Sequence, residues 1–198
     1  MTEKGFKTII FTSPDDVEDE VAKINMLLEA GIDWLHIRKP QKNEEEIIRM
    51  LDQIDPKYYP RIRLHDFFPL AARYEIGGVH LNSRNPHAPT DKINVSASYH
   101  TIREIFLLSH RLANPIEYMT LSPIFDSISK TGYLSAFDLE ELSPDQIPDR
   151  VVALGGIRPE HYELLQEKGF YGAGLLGYIW EGDFSARLSS LSEYIKKE

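Results

Sequence analysis

The feature that most constrains this chain is a hydrophobic period that switches back and forth along its whole length. Apolar or alternating runs read as strands at 7–13, 34–39, 61–66, 77–82, 92–100, 117–125, 151–156 and 171–180. Helical spacing fills most of the gaps, at 16–31, 44–54, 68–76, 101–112, 138–147, 159–169 and 183–197. In the first of these, Val17, Val21, Ile24, Leu27 and Leu28 recur at helical intervals, and Gly31 stands where a cap is needed. Strands joined by helical crossovers pair in parallel. Two architectures satisfy that pattern, a (β/α)8 barrel and an open doubly wound sheet. The open sheet calls for a glycine-rich turn after its first strand, and FTSPDD has no glycine. The barrel accounts for eight units directly, although such barrels typically run to about 250 residues. The link LNSRNPHAPTD (81–91) is too rich in proline and polar residues for a helix. A loop in place of the fourth helix explains how 198 residues suffice, as a single domain spanning 1–198.

Composition narrows the function classes. The chain lacks cysteine, which excludes disulfides, thiolate metal sites and thiol nucleophiles. Its formal charge of -9 argues against nucleic acid or an anionic membrane as partner, because both require basic patches. The apolar run near the N-terminus is too short for a signal segment, and no run approaches a membrane span of about 18 apolar residues. The expectation is a cytoplasmic protein with no membrane association. An unpartnered apolar helix face would make it a homodimer.

In a barrel, chemistry belongs to the loops at the C-terminal ends of the strands. Those ends carry His36, Arg38 and Lys39, then His65 and Asp66, His80 and Asn82, and Ser98 and His100. They continue with Ser122, Ser127, Ser129 and Lys130, Gly155 and Gly156, and finally Gly177. Hydroxyls, a cation and glycines are what a phosphate oxygen needs, and MTLSPIFDSISKTGY (119–133) gathers all three just past a strand. The same residue types are also common in surface loops. Paired glycines after the seventh strand suit the phosphate site that barrels often build there, where main-chain N–H groups are the donors.

LHIRKP, RLHDFFPLAARYEIGGVHL, SASYHT, YMTLSPIFDSISK and VVALGGIRPE stand in an order and spacing that resembles the thiamine phosphate synthase and TenI family, from about residue 34 to about 180. The resemblance implies a (β/α)8 barrel and a transferase of thiamine biosynthesis. Such an enzyme joins a hydroxymethylpyrimidine diphosphate to a thiazole phosphate and releases diphosphate, with Mg²⁺ present. By the same resemblance, Arg38 and Lys130 hold the diphosphate and Ser127 and Ser129 supply hydroxyls. Asp66 binds the metal, Ser98 contacts substrate, and Gly156 offers its N–H to the thiazole phosphate.

The chain departs from the family pattern at several positions. Where synthases read Q-x-R-E-K, this chain has His36-Ile37-Arg38-Lys39-Pro40. A one-place shift in a strand turns Lys39 to the opposite face. The usual N-D pair is His65-Asp66, and the second acidic metal position falls near the uncharged Asn85, with Asp91 the carboxylate expected to compensate. Gly177 stands where a serine is expected. These losses bring forward a metal-independent, TenI-type tautomerase with His100 as acid/base, its pKa range suited to proton transfer. His36 and His65 would line the same cavity, while His80 reads as a satisfied, partly buried histidine. A catalytically silent barrel holding a phosphorylated ligand is the third alternative. Trp34 and Trp180 read as packing, Glu44–Glu46 as a solvated helix start, and Tyr58-Tyr59-Pro60 as filler for the bottom of the barrel.

Overall fold

The computed structural model describes residues 5–109, 114, 116–126, 135 and 137–195. Eight parallel strands close into one barrel in sequence order. They are β1 (Lys7–Phe11), β2 (Trp34–Ile37), β3 (Ile62–Leu64), β4 (Gly78–Leu81), β5 (Val95–Tyr99), β6 (Ile116–Leu121), β7 (Val151–Leu154) and β8 (Gly172–Leu175). The ring is sealed where Ile9 of β1 pairs with Gly174 of β8. Around it lie α1 (Glu20–Ala30), α2 (Glu44–Leu51), α3 (Pro69–Arg73), α4 (Ile102–Leu108), α5 (Tyr162–Glu167), α6 (Gly177–Trp180) and α7 (Phe184–Ile195). Gly31 caps α1 in the left-handed conformation, as its position predicts. Asn43 and Thr101 open α2 and α4 with reciprocal capping boxes. Between β4 and β5 the described residues contain no helix, so the polar link does replace the fourth one.

Three local readings are corrected. The stretch 138–147 forms only a 3₁₀ turn at Pro144–Gln146, since Leu139 and Leu142 alone give no continuous apolar face. The apolar run 171–180 splits into β8 and the short helix α6, and Gly177 opens that helix instead of ending a strand. Periodicity alone does not separate strand from helix in so short an apolar run. Tyr58 and Tyr59 pack outside the barrel wall, and Tyr59 donates its hydroxyl to the Leu51 carbonyl at 2.9 Å. The bottom of the bore is filled instead by Trp34 and Tyr118, whose rings stack 4.5 Å apart, and by Arg63.

Pairing register sorts the side chains into two compartments. Outward positions such as Ile10, Leu35, Ile62, Leu64, Val79, Val95 and Ala153 join the helices in one large apolar shell. Inward positions form a much smaller apolar cluster of Ile9, Phe11, Tyr118 and Val152. The rest of the bore is polar: His36, Arg63, His65, His80, Ser96 and Thr120 are all buried. A register shift opposite Val95 and Ser96 leaves Glu117 unpaired in the ladder, and its carboxylate meets Arg63 at 2.6 Å. On the outer surface, α4 exposes Phe106, Leu107 and Leu108. Among the described residues no helix is long and apolar enough to cross a membrane.

Candidate active site

A cavity of about 970 Å³ opens at the C-terminal mouth of the barrel. Arg38, His65, Ser98, His100, Gly155, Gly156 and Gly177 all line it, so most of the sequence-predicted residues converge there. Ser127, Ser129 and Lys130 lie outside the described residues. Asp66 sits at the rim and is joined to the lining residue Arg84. His36 is fully buried beneath the cavity and does not line it. Lys39 points out of the bore, as the strand parity demands, and is paired with Glu20 at 2.6 Å.

The floor is a chain of buried imidazoles. His36 Nδ1 lies 2.9 Å from His65 Nε2, and His36 Nε2 lies 2.5 Å from the Tyr118 hydroxyl. His65 and His80 stack with ring centroids 4.4 Å apart. His80 is held on both sides, by Ser96 Oγ at 2.8 Å and Ser98 Oγ at 2.6 Å. Burial first, and then the neighbouring imidazoles and arginines, push His36 and His65 well below the ordinary histidine range. Burial, followed by the charges of Arg63 and Arg38, draws His80 down to about 3. Burial drives the Tyr118 phenol upward, so the whole chain is neutral. Nitrogens of the three histidines lie within 4.8 Å of one another, close enough for a transition metal to bridge. His36 and His80 already use both nitrogens in hydrogen bonds, so the cluster is a hydrogen-bonded relay ending at the cavity floor.

One wall is a turn of two glycines. Gly155 and Gly156 adopt φ of 95° and 66°, the left-handed region that disfavours a side chain. A Cβ on Gly156 would stand 2.2 Å from the Asp126 carbonyl oxygen, so nothing larger fits. Gly155 continues the β7 edge next to the Leu154–Gly174 pair, and the N–H of Gly156 donates to no acceptor among the described residues. An unpaired amide in such a turn suits an anion. His100 stands at the same mouth, its Nδ1 3.0 Å from the Ser122 carbonyl oxygen. A carbonyl only accepts, so Nδ1 is the donor of this bond.

The opposite wall carries the cations. Arg38 has no side-chain hydrogen bond to a described residue. Burial, and then the nearby charge of Arg84, hold its guanidinium below the usual range, with Asp66 acting the other way. Arg84 was not singled out by the sequence, because an arginine in a polar loop looks like surface. Asn82 builds the loop: its side chain accepts from Arg84 N at 3.0 Å and donates to the His65 and His80 carbonyls at 3.0 and 3.1 Å. Arg84 Nη2 then reaches Asp66 Oδ2 at 3.0 Å, and Asn85 Nδ2 donates to Asp66 Oδ1 at 2.8 Å.

These contacts test the implied Mg²⁺ directly. The cation needs oxygen ligands, and among the described residues Asp66 is the single carboxylate at the position; Glu104, which lines the same cavity, is engaged by the His100 and Thr101 N–H groups. Both of its oxygens already accept from N–H donors, and residue 85 turns an amide N–H, not a carboxylate, toward it. Asp91 is exposed and does not line the cavity. The described residues at this position do not fit a divalent cation.

A closed eight-stranded parallel barrel with its polar site at the C-terminal mouth defines a (β/α)8-barrel enzyme. Within that class, residues 8–177 match the family model described as thiamine monophosphate synthase. The chain belongs to this family of thiamine-biosynthesis enzymes. It is 26% identical over 186 residues to the thiamine-phosphate synthase of Flavobacterium johnsoniae, covering 84% of this chain and 85% of that protein. The crystal structure of a thiamine phosphate pyrophosphorylase from Bacteroides thetaiotaomicron superposes with a TM-score of 0.79 at 32% identity, over 97% of this chain and 96% of that one. A thiamine phosphate pyrophosphorylase from Pyrococcus furiosus shares the fold, with a TM-score of 0.76 at 16% identity and coverage of 97% and 96%.

Proposed function

We propose that the chain is a thiamine phosphate synthase, joining a hydroxymethylpyrimidine diphosphate to a thiazole phosphate. In that reaction the C–O bond to diphosphate breaks, a C–N bond to the thiazole nitrogen forms, and diphosphate leaves. The departing group gains negative charge, so preorganised cations and N–H donors are what the barrier responds to. The observation that carries this reading is the pairing of two anion-binding walls across one cavity. The unbonded N–H of Gly156 in its glycine turn lies on one wall, and the Arg38 guanidinium, with no side-chain bond to a described residue, lies with Arg84 on the other. A substrate pair with a phosphate at one end and a diphosphate at the other matches that arrangement. Between them, the neutral floor at His65 and Ser98 offers hydrogen bonds to a heteroaromatic ring without adding charge. By resemblance to the family, Lys130 is a further cation for the diphosphate.

The test is to supply both substrates to the full-length chain and follow thiamine phosphate and diphosphate. Lys130→Ala is expected to abolish product while leaving the urea midpoint unchanged, and undiminished turnover in that variant would defeat the assignment. A second reading, the TenI-type tautomerase, is favoured by one observation: His100 lines the cavity mouth with its ring oriented by the Nδ1 bond to the Ser122 carbonyl. That reading requires metal-independent isomerisation of a thiazole carboxylate phosphate, lost in His100→Ala. Ligand-induced thermal stabilisation with no product from either substrate set would leave only a silent binder.

A further inference from the structure

We propose that the Arg84 guanidinium takes the place of the divalent cation, so that this chain binds diphosphate without metal. The inference rests on the synthase reading, because it concerns how that site holds the leaving group. Arg84 sits on the carboxylate at which a metal would be expected, 3.0 Å from Oδ2 and 3.3 Å from Oδ1 of Asp66. Asn85 closes the other side by donating to the same Oδ1 at 2.8 Å, and a second donation to the His65 carbonyl at 2.9 Å fixes its amide. A cation approaching Asp66 would meet N–H groups where it needs oxygens.

The placement of Arg84 is built in, because its loop hangs from β3 and β4 through Asn82. Only Nη2 is engaged with Asp66, so the remaining N–H groups of the guanidinium are available to a ligand. Arg38 lies near enough to feel the positive charge of Arg84, and Asp66 is the carboxylate that acts on it in the opposite sense. Two guanidinium groups against one carboxylate leave the wall positive before any ligand arrives. A guanidinium forks onto phosphate oxygens with fixed geometry, which a hydrated Mg²⁺ would otherwise supply.

The test is isothermal titration of the full-length chain with inorganic diphosphate, in EDTA and again as the magnesium complex. Diphosphate is expected to bind in EDTA, with Mg²⁺ changing the dissociation constant by less than about threefold. Arg84→Ala frees Asp66, so it is expected to weaken binding in EDTA by at least about tenfold and to regain affinity when Mg²⁺ is added. Asp66→Asn in the Arg84→Ala background removes that regain. The Arg84–Asp66 pair is partly solvent-exposed, so an unchanged urea midpoint for Arg84→Ala confirms that the fold is intact. Binding of wild type only with Mg²⁺, or full affinity of Arg84→Ala in EDTA, would overturn the proposal and leave the synthase reading standing. No binding under either condition would overturn both.

Discussion

Lowering the pH should unfold this protein through its barrel interior. His36, His65 and His80 are neutral and fully buried in the fold, with pKa values pushed down, His80 to about 3. In the unfolded chain each titrates near 6.5. Above that value neither state binds a proton, and stability is at its full level. Below it the unfolded state binds protons that the folded state refuses, so stability is lost as pH falls, and the loss continues toward the folded-state values. For His80 the cost between pH 7.5 and 5.0 is about 2 kcal/mol, and His36 and His65 add to it in the same direction. Against a total of about 5–15 kcal/mol, that is a substantial share of the stability. Urea denaturation followed by tryptophan fluorescence at constant ionic strength measures it. His80→Gln keeps an amide between Ser96 and Ser98 and removes one titrating site, so its loss over the same interval should shrink by about 2 kcal/mol. Comparing variant with parent cancels the carboxylates. A wild-type midpoint that holds from pH 7.5 to 5.0, or an identical loss in His80→Gln, would refute the reasoning.

Other outcomes follow from single contacts. Gly156→Ala should lose at least about 1–2 kcal/mol from its left-handed backbone, plus the clash with Asp126, and should weaken binding of inorganic phosphate, both readable by thermal shift. Glu117→Ala strands the buried Arg63 charge and should cost about 3 kcal/mol in urea unfolding, whereas Arg63→Met in that background should recover part of the loss. Arg38→Ala should weaken diphosphate about 10–100-fold, the worth of one charged hydrogen bond, with an unchanged urea midpoint because its side chain bonds to no described residue.

The barrel was legible because its signal is distributed: eight strand-like runs with crossovers between them, and a proline-rich link at 81–91 that leaves no room for a helix. The mouth was legible for the same reason, since strand parity and strand ends fix which residues face it. Short apolar runs were less legible, as YGAGLLGYIW shows by dividing at Leu176 into a strand and a turn of helix. The bore was the larger miss. RIRLHD places Arg63 and His65 on one face and Ile62 and Leu64 on the other, which in an open sheet would mean solvent against core. In a closed barrel both faces are buried, so the polar face had to become an interior network. Arg84 was invisible for a different reason: its role depends on Asn82 carrying the loop to Asp66, a meeting across 18 residues that no local pattern encodes.

The division between a thick greasy sleeve and a bore that mixes a small apolar cluster with polar groups has an evolutionary corollary. Cohesion resides on the outside of the staves, where Ile10, Leu35, Leu64 and Val79 grip the helices. Substitutions that trade one inward hydrogen-bonding group for another therefore risk little of the scaffold's strength. A lineage can redraft the ligand-facing lining, swapping a glutamine for an imidazole or an acid for an amide, while the vessel that holds it stays intact.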